Sequence, residues 1–230
     1  MRLGTLDALR RYPVKSLRGE ALDEVEVAKA GIPGDRSRAL IVRSGSARVG
    51  KTYRGKEDDR LHFMTSAENA AKAIAEYGID VEIREGEHYF DRAPISLLVD
   101  RWLDSLHAHV GYTVEWERFR PNMFVRAADG FAIYEASLVE CELSLGEVRL
   151  RVNAPIVRCV VPTYDLKGGP NDPRILRFIA QHRGGQMGVY CDVVQPGTAR
   201  VGDNLTLVEH HSNEAPLERR LGPHPGTARA

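Results

Sequence analysis

The sequence contains few cysteines and no excess of charge of either sign. Its three cysteines, Cys141, Cys159 and Cys191, are widely spaced and form no CxxC pair. This argues against a disulfide framework and against a cysteine-rich zinc or iron–sulfur site. The 32 basic and 32 acidic residues cancel to a formal net charge of zero, whereas a generic nucleic-acid-binding protein shows a basic excess.

Long hydrophobic runs are also lacking. No apolar segment approaches the ~20 residues that a membrane-spanning helix needs, and residues 1–12 lack the apolar stretch of a secretory signal. Hydrophobic residues make up 43% and charged residues 28% of the chain, which is the composition of an ordinary globular protein. We therefore expect a cytoplasmic protein with no nucleic-acid and no membrane partner.

What the sequence does contain is a series of short segments in which apolar and charged residues alternate, as in half-buried β-strands. Helix signals are few. A capping box at residues 65–68, an Asp-Pro pair at 172–173 and an apolar stripe over 94–110 each predict one helix. Strands without a regular βαβα alternation predict an α+β, mainly β fold, with a hairpin turn at residues 145–148.

Composition and pattern divide the chain into three parts. The stretch near residues 112–118 is a candidate boundary between two halves, 1–115 and 116–209, although no flexible linker marks it. The last segment is rich in Pro, Gly and His without periodicity, which predicts a disordered tail over 210–230. We interpret the adjacent His210 and His211 as a surface pair rather than a metal site.

One string matches a nucleotide-binding motif. Residues 45–52, Gly-Ser-Ala-Arg-Val-Gly-Lys-Thr, satisfy the P-loop pattern GxxxxGK[ST], in which a helix begins at the lysine. Residues 53–60 are polar apart from one tyrosine and one glycine and have no apolar face, so no buried helix is expected there. We interpret the string as a glycine-rich β-turn, with a nucleotide hydrolase as an alternative.

Basic, hydroxyl and amide side chains stand at the ends of predicted strands, and Arg158 lies beside the thiol of Cys159 within one. Lysine and arginine in such places suit a phosphorylated ligand, and a thiolate suits a soft metal or a sulfur-transfer step. The alternative is an inert cysteine within a predicted strand over 157–161, with scattered surface arginines. The set consists of Lys15, Ser16, Arg36, Arg120, Asn122, Arg158 and Cys159.

These side chains belong to motifs that follow one another in a recognisable order. The motifs are Tyr-Pro-Val-Lys-Ser at 12–16, Gly-Asp-Arg at 34–36, Phe-Arg-Pro-Asn at 119–122, Arg-Cys-Val-Val-Pro-Thr-Tyr-Asp at 158–165 and Val-Gly-Asp at 201–203. With them the chain resembles the MOSC-domain family, named for the C-terminal domain of molybdenum-cofactor sulfurases. Within that family it is similar to two-part proteins related to the mitochondrial amidoxime-reducing component. The resemblance implies an N-terminal MOSC-associated β-barrel domain over residues 1–115 and a MOSC β-barrel domain over 116–209.

The resemblance also implies a function and a cofactor. It implies a molybdenum cofactor, molybdopterin, and an oxidoreductase that reduces small N-hydroxylated compounds. Cys159 is then the catalytic residue and the thiolate ligand of molybdenum. Electrons are expected from a separate donor protein, because the chain has no flavin or iron–sulfur motif. The alternative is a carrier of the molybdenum cofactor or of sulfur, with a persulfide on Cys159. The residues expected to bind the pterin phosphate and ring are Lys15, Ser16, Arg36, Arg120, Asn122 and Arg158.

Overall fold

Strands dominate the computed structural model, which describes residues 1–86 and 88–208. None of the helices in these ranges is long and apolar enough to cross a membrane. The α-helices are α1 (Ala67–Ala75), α2 (Asp104–Val110) and α3 (Pro173–His182). The strands are β1 (Arg2–Arg11), β2 (Glu20–Leu22), β3 (Glu24–Val27), β4 (Arg38–Ser44), β5 (Asp80–Glu85), β6 (Ile95–Val99), β7 (Met123–Ala127), β8 (Glu142–Leu145), β9 (Val148–Val157), β10 (Gln186–Gln195), β11 (Gly197–Arg200) and β12 (Asn204–Val208).

Seven of these strands close into a barrel in the order β1-β7-β6-β10-β9-β8-β12. The last strand, β12, pairs antiparallel with the first, β1, and this pairing closes the ring. The β6–β7 pair is parallel, and the other neighbours in the ring are antiparallel. Closure leaves no free strand edge around the ring. The predicted α+β, mainly β fold is confirmed.

The interior of the barrel is the larger of two hydrophobic cores. Along β9 buried and less buried residues alternate, so that Leu150 and Val152 point inward and are fully buried, as the two-residue period of a strand requires. A second, smaller core lies beside the barrel. It is formed by the antiparallel pair of strands β4 and β5, by α1 and by the segments around Leu17 and Leu61.

The predicted division at residues 115 and 116 stays a prediction. Strands β1 and β6 from its first part share the barrel with β7 to β10 and β12 from its second part. The predicted tail over 210–230, with His210 and His211, lies outside the described residues.

The helix signals are confirmed at two places. Asp172 caps α3 by accepting a hydrogen bond from the Arg174 N–H, and Pro173 follows it. Helix α1 forms as expected, but its N-cap is Ser66, which accepts from the Asn69 N–H, one residue later than the capping box predicted. The hairpin turn at 145–148 joins β8 to β9.

The predicted helix over 94–110 is wrong in its first part. Residues Ile95–Val99 form strand β6, in which every residue is buried, between β10 and β7. A strand buried on both faces has no alternation of apolar and polar residues, so four apolar residues and one serine do not distinguish a strand from a buried helix. Only residues 104–110 are α-helical, after a 3₁₀ turn at 100–103.

Candidate functional site

A cavity of about 350 Å³ lies at the end of the barrel where β1 and β9 end and β6 and β7 begin. This volume falls in the range of small-molecule binding sites. All seven candidate residues from the sequence analysis line this cavity, although they come from distant parts of the chain. They are Lys15, Ser16, Arg36, Arg120, Asn122, Arg158 and Cys159.

The backbone around the cavity adopts a rare conformation. Ser16, Arg36 and Arg120 have φ angles of 73°, 47° and 54°, and among the described residues only Glu140 also has a positive φ without being glycine. Residues other than glycine seldom occupy the left-handed region, and where they do the surrounding structure holds them there. Such strained positions cluster at functional sites, and here three of four lie in one cavity.

Arg36 is held by three acceptors. Its Nη1 donates to Asp35 Oδ2 at 2.5 Å and to Asn122 Oδ1 at 3.2 Å, and its Nη2 donates to the Arg120 carbonyl oxygen at 3.3 Å. Its guanidinium lies 4.8 Å from the centre of the Tyr12 ring, within cation–π range. Arg36 therefore carries a compensated charge in a fixed position.

Arg120 is held much less completely. Its guanidinium lies 4.4 Å from the centre of the same Tyr12 ring, but its Nη2 atom is buried with no hydrogen-bond partner. Burial lowers the pKa of Arg120 to about 10, so the group is still cationic at neutral pH. A buried cationic nitrogen without an acceptor is costly unless a ligand supplies one.

The Arg158 guanidinium donates hydrogen bonds only to backbone carbonyl oxygens. Its Nε donates to the Met187 carbonyl oxygen at 2.7 Å and its Nη1 to that of Phe119 at 2.8 Å. Its Nη2 atom is buried without a partner, and burial lowers the pKa of Arg158 to about 10. Arg158 is thus a second guanidinium group in the site that has no carboxylate partner to offset its charge.

Asn122 and Lys15 contribute differently. The Asn122 side chain accepts from Ser96 Oγ at 2.8 Å and from Arg36, and it donates to the Arg10 carbonyl oxygen at 3.2 Å. Because Asn122 is 1% exposed, these bonds make it a residue that positions Arg36. Lys15 Nζ lies 2.6 Å from Asp91 Oδ1, on a carboxylate that is 72% exposed, so this pair is weak and leaves the ammonium available.

Cys159 lies in a loop and is exposed. The predicted strand over 157–161 is therefore wrong. Strand β9 ends at Val157, the last residue paired with β10, and the chain then enters a 3₁₀ turn that contains Pro162, which has no N–H to continue a ladder. Cys141 and Cys191 are buried in the core, and burial raises the pKa of Cys191. Among the described residues Cys159 is the one thiol in the cavity.

The glycine-rich string at 45–52 forms a turn, as predicted. After it the chain returns along β4, where Tyr53 N–H donates to the Leu40 carbonyl oxygen and Thr52 pairs with Ile41. No helix begins at Lys51, which is exposed. The nucleotide-hydrolase alternative therefore lacks the strand–loop–helix setting that gives a P-loop its phosphate site.

Sequence reasoning missed the segment that follows this turn. Arg54, Gly55, Lys56 and His62 all line the cavity. His62 is 7% exposed, and its Nε2 atom has no hydrogen-bond partner. Burial and the nearby Arg120 cation hold the pKa of His62 at about 3, so its imidazole is neutral. The run of charged residues over 53–60 marks this segment in the sequence, but it does not distinguish the wall of a cavity from a solvated loop.

The donor set fits an anionic group that binds a soft metal. Two guanidinium groups lack a carboxylate partner and each leaves a buried nitrogen free, which favours an anion such as a phosphate. A thiol in the same cavity is the ligand that soft metals prefer. Within residues 1–86 and 88–208, no three His, Cys, Asp or Glu side chains are grouped so that they could hold a metal ion.

The fold and the cavity together define a closed β-barrel protein with a cationic, thiol-bearing site at one barrel end. The chain belongs to the MOSC-domain family. The family model of the MOSC domain matches residues 84–206, and that of the MOSC N-terminal beta barrel domain matches residues 3–74. No curated protein matches the chain.

The solved structures similar to this chain share less than a fifth of its sequence. YuaD from Bacillus subtilis is 17% identical, with a TM-score of 0.55 over 88% of this chain and 94% of that one. YiiM from Escherichia coli is 16% identical, with a TM-score of 0.43 over 92% of this chain and 76% of that one. The likeness to YuaD supports the fold alone.

Proposed function

We propose that the cavity binds a pterin-type molybdenum cofactor and that the protein reduces N-hydroxylated compounds. The family is associated with the molybdenum cofactor in general. The observation that carries the proposal is the combination of an exposed thiol with two guanidinium groups that lack a carboxylate partner, at Cys159, Arg120 and Arg158, in one cavity.

The cations of the cavity would hold the anionic part of the cofactor. Lys15, Arg36 and Arg120 approach from three separate turns of the chain, so a phosphate among them would be held from several sides. Each charge-assisted hydrogen bond contributes about 1.5–3 kcal/mol. Asn122 keeps Arg36 in place through the 3.2 Å bond to its Nη1.

Cys159 would supply the one protein ligand of the metal. When bound, the cofactor supplies the two-electron redox chemistry and the remaining sulfur ligands. The overall reaction is R–NH–OH + 2 e⁻ + 2 H⁺ → R–NH₂ + H₂O. A separate donor protein would deliver the two electrons, and the exposed position of Cys159 leaves the site open to a small N-hydroxylated substrate.

The test is expression in a host that makes the cofactor, with metal analysis and pterin fluorescence on the purified protein. We expect bound molybdenum and pterin, and reduction of benzamidoxime with a chemical electron donor. Cys159→Ala should abolish this reduction and leave the circular dichroism spectrum unchanged. Cys191→Ala, in the core, is the matched control and should keep the activity. Full activity of Cys159→Ala would contradict the proposal.

A sulfur-carrier function is the second candidate, because the thiol of Cys159 is exposed in a loop rather than fixed in a strand. A carrier would hold a persulfide there and pass the outer sulfur to an acceptor. Purified protein would then release thiocyanate on treatment with cyanide, dependent on Cys159, and would hold no molybdenum. Molybdenum without labile sulfur would favour the reductase.

A further inference from the structure

A second, smaller cavity adjoins the first. It has a volume of about 100 Å³, enough for several waters or for one small oxyanion. His62 and Arg120 line both cavities, whereas Cys159 lines only the larger one. The other residues around it are Arg10, Tyr12, Arg18, Gly19, Glu117 and Leu166.

The lining of this second cavity carries an excess of positive charge. It contains three guanidinium groups, those of Arg10, Arg18 and Arg120, and a single carboxylate, that of Glu117. Glu117 lies 3.5 Å from Arg10, and the Arg10 guanidinium also covers the Trp116 ring at 5.2 Å. One carboxylate therefore faces three cations, which favours an anion in the space between them.

Three nitrogen atoms of the same lining are buried and lack partners. They are Arg10 Nε, Arg120 Nη2 and His62 Nε2, and they come from three separate segments of the chain. His62 is 93% buried, since its exposed fraction is 7%. A buried polar atom without a partner costs free energy, and a group with several acceptor oxygens could satisfy two guanidinium N–H groups and an imidazole N–H together.

We propose that the second cavity is a binding site for a small tetrahedral oxyanion, of the inorganic phosphate or sulfate class. The site lacks Cys159 but shares Arg120 and His62 with the larger cavity. Arg10 and Arg120 offset the charge of the anion, and His62 Nε2 donates to one of its oxygens.

The test is isothermal titration of the full-length protein with inorganic phosphate. Arg10→Gln removes a cation that lines only the second cavity. Lys15→Gln is the matched substitution for the larger cavity, because Lys15 lines only that cavity and its side chain is 18% exposed against 22% for Arg10. We expect a binding event that Arg10→Gln weakens about tenfold or more and that is distinct from any phosphate bound in the larger cavity, which Lys15→Gln would weaken instead.

Thermal unfolding without phosphate shows whether Arg10→Gln still folds. If it does not, Arg18→Gln, at an exposed position, should weaken the same event. Absence of phosphate binding would overturn the proposal. So would a single event that only Lys15→Gln weakens, because the phosphate would then occupy the larger cavity. Equal weakening by both substitutions, or by neither, would indicate unspecific attraction and would overturn it as well.

Discussion

At the scale of single residues, Arg120 combines a strained backbone, a buried free nitrogen and no carboxylate partner. Arg120→Ala should therefore lower the molybdenum and pterin content of the purified protein. The melting temperature of the ligand-free protein should not fall, because the substitution removes an uncompensated cation rather than a formed ion pair. Metal analysis and thermal unfolding measure the two effects.

The control is Arg126→Ala, which removes an exposed arginine of β7 that pairs with Asp7, and it should change neither quantity. The effect of Arg120→Ala should persist at moderate salt, since screening acts mainly on exposed charges. Undiminished cofactor content in Arg120→Ala would show that this guanidinium is not part of a cofactor site.

His62 gives a prediction for pH. Its pKa is about 3 in the folded protein, because of burial and the Arg120 cation, against 6.5 in an unfolded chain. Below 6.5 the unfolded state takes up a proton that the native state does not, so the free energy of unfolding falls as the pH falls, by at most about 1.4 kcal/mol per pH unit.

His62→Gln removes the contribution of this histidine to the pH dependence of the free energy of unfolding. Between pH 6.5 and about pH 5 the stability of the variant should decline less steeply than that of the wild type. Urea denaturation at a series of pH values measures the slopes, with His88→Gln, at an exposed histidine, as the control. Parallel slopes for all three proteins would mean that His62 is not held neutral.

At the scale of elements, the turn over 45–52 matches the P-loop sequence pattern but lacks the helix with which a P-loop binds phosphate. Lys51 and Thr52 are followed by an extended return along β4 and not by a helix. Isothermal titration with ATP and Mg²⁺ should therefore show no binding above background. Micromolar binding that Lys51→Ala abolishes would restore the nucleotide-hydrolase alternative.

The elements also show what the sequence could and could not predict. Strand β9 was predictable because its residues alternate between buried and less buried. Strand β6 was not, since burial on both faces removes the alternation. The sequence does not predict the left-handed backbone at Ser16, Arg36 and Arg120. Glycine in a sequence indicates that a positive φ is favoured, whereas serine and arginine do not.

The candidate site was predictable only in part. Its basic residues and its thiol belong to the ordered motifs from which the family resemblance was recognised, so they could be predicted. The segment that contains Arg54 and Lys56 has no such pattern, because a polar loop reads the same whether it faces solvent or a polar cavity. The second cavity was not foreseen for the same reason, as Arg10 and Arg18 look like ordinary surface arginines in the sequence.

At the scale of the whole molecule, the region matched by the MOSC model begins at residue 84, but the barrel needs β1. A fragment over residues 84–208 would leave β7 and β12 without β1, the neighbour that each of them pairs with on one side. It would also lose Leu3, Leu6 and Leu9, each 1% exposed. Truncating one such leucine costs about 2–5 kcal/mol, against a total stability of about 5–15 kcal/mol for a domain.

We therefore expect this fragment to aggregate or to lack a cooperative unfolding transition, whereas the full chain shows one. Size-exclusion chromatography and urea denaturation of both proteins provide the comparison. A monomeric fragment with a single sharp transition would show that the barrel can close without β1.

The closure of the barrel also matters during translation. The amino group of Met1 donates to the Leu207 carbonyl oxygen at 3.1 Å across a separation of 206 residues. At a synthesis rate of about 5–20 residues per second, β1 is made about 10–40 s before its partner β12. Throughout that time the nascent chain carries the apolar face of β1 without its final cover, so we expect chaperones that bind apolar segments to engage this strand on the ribosome.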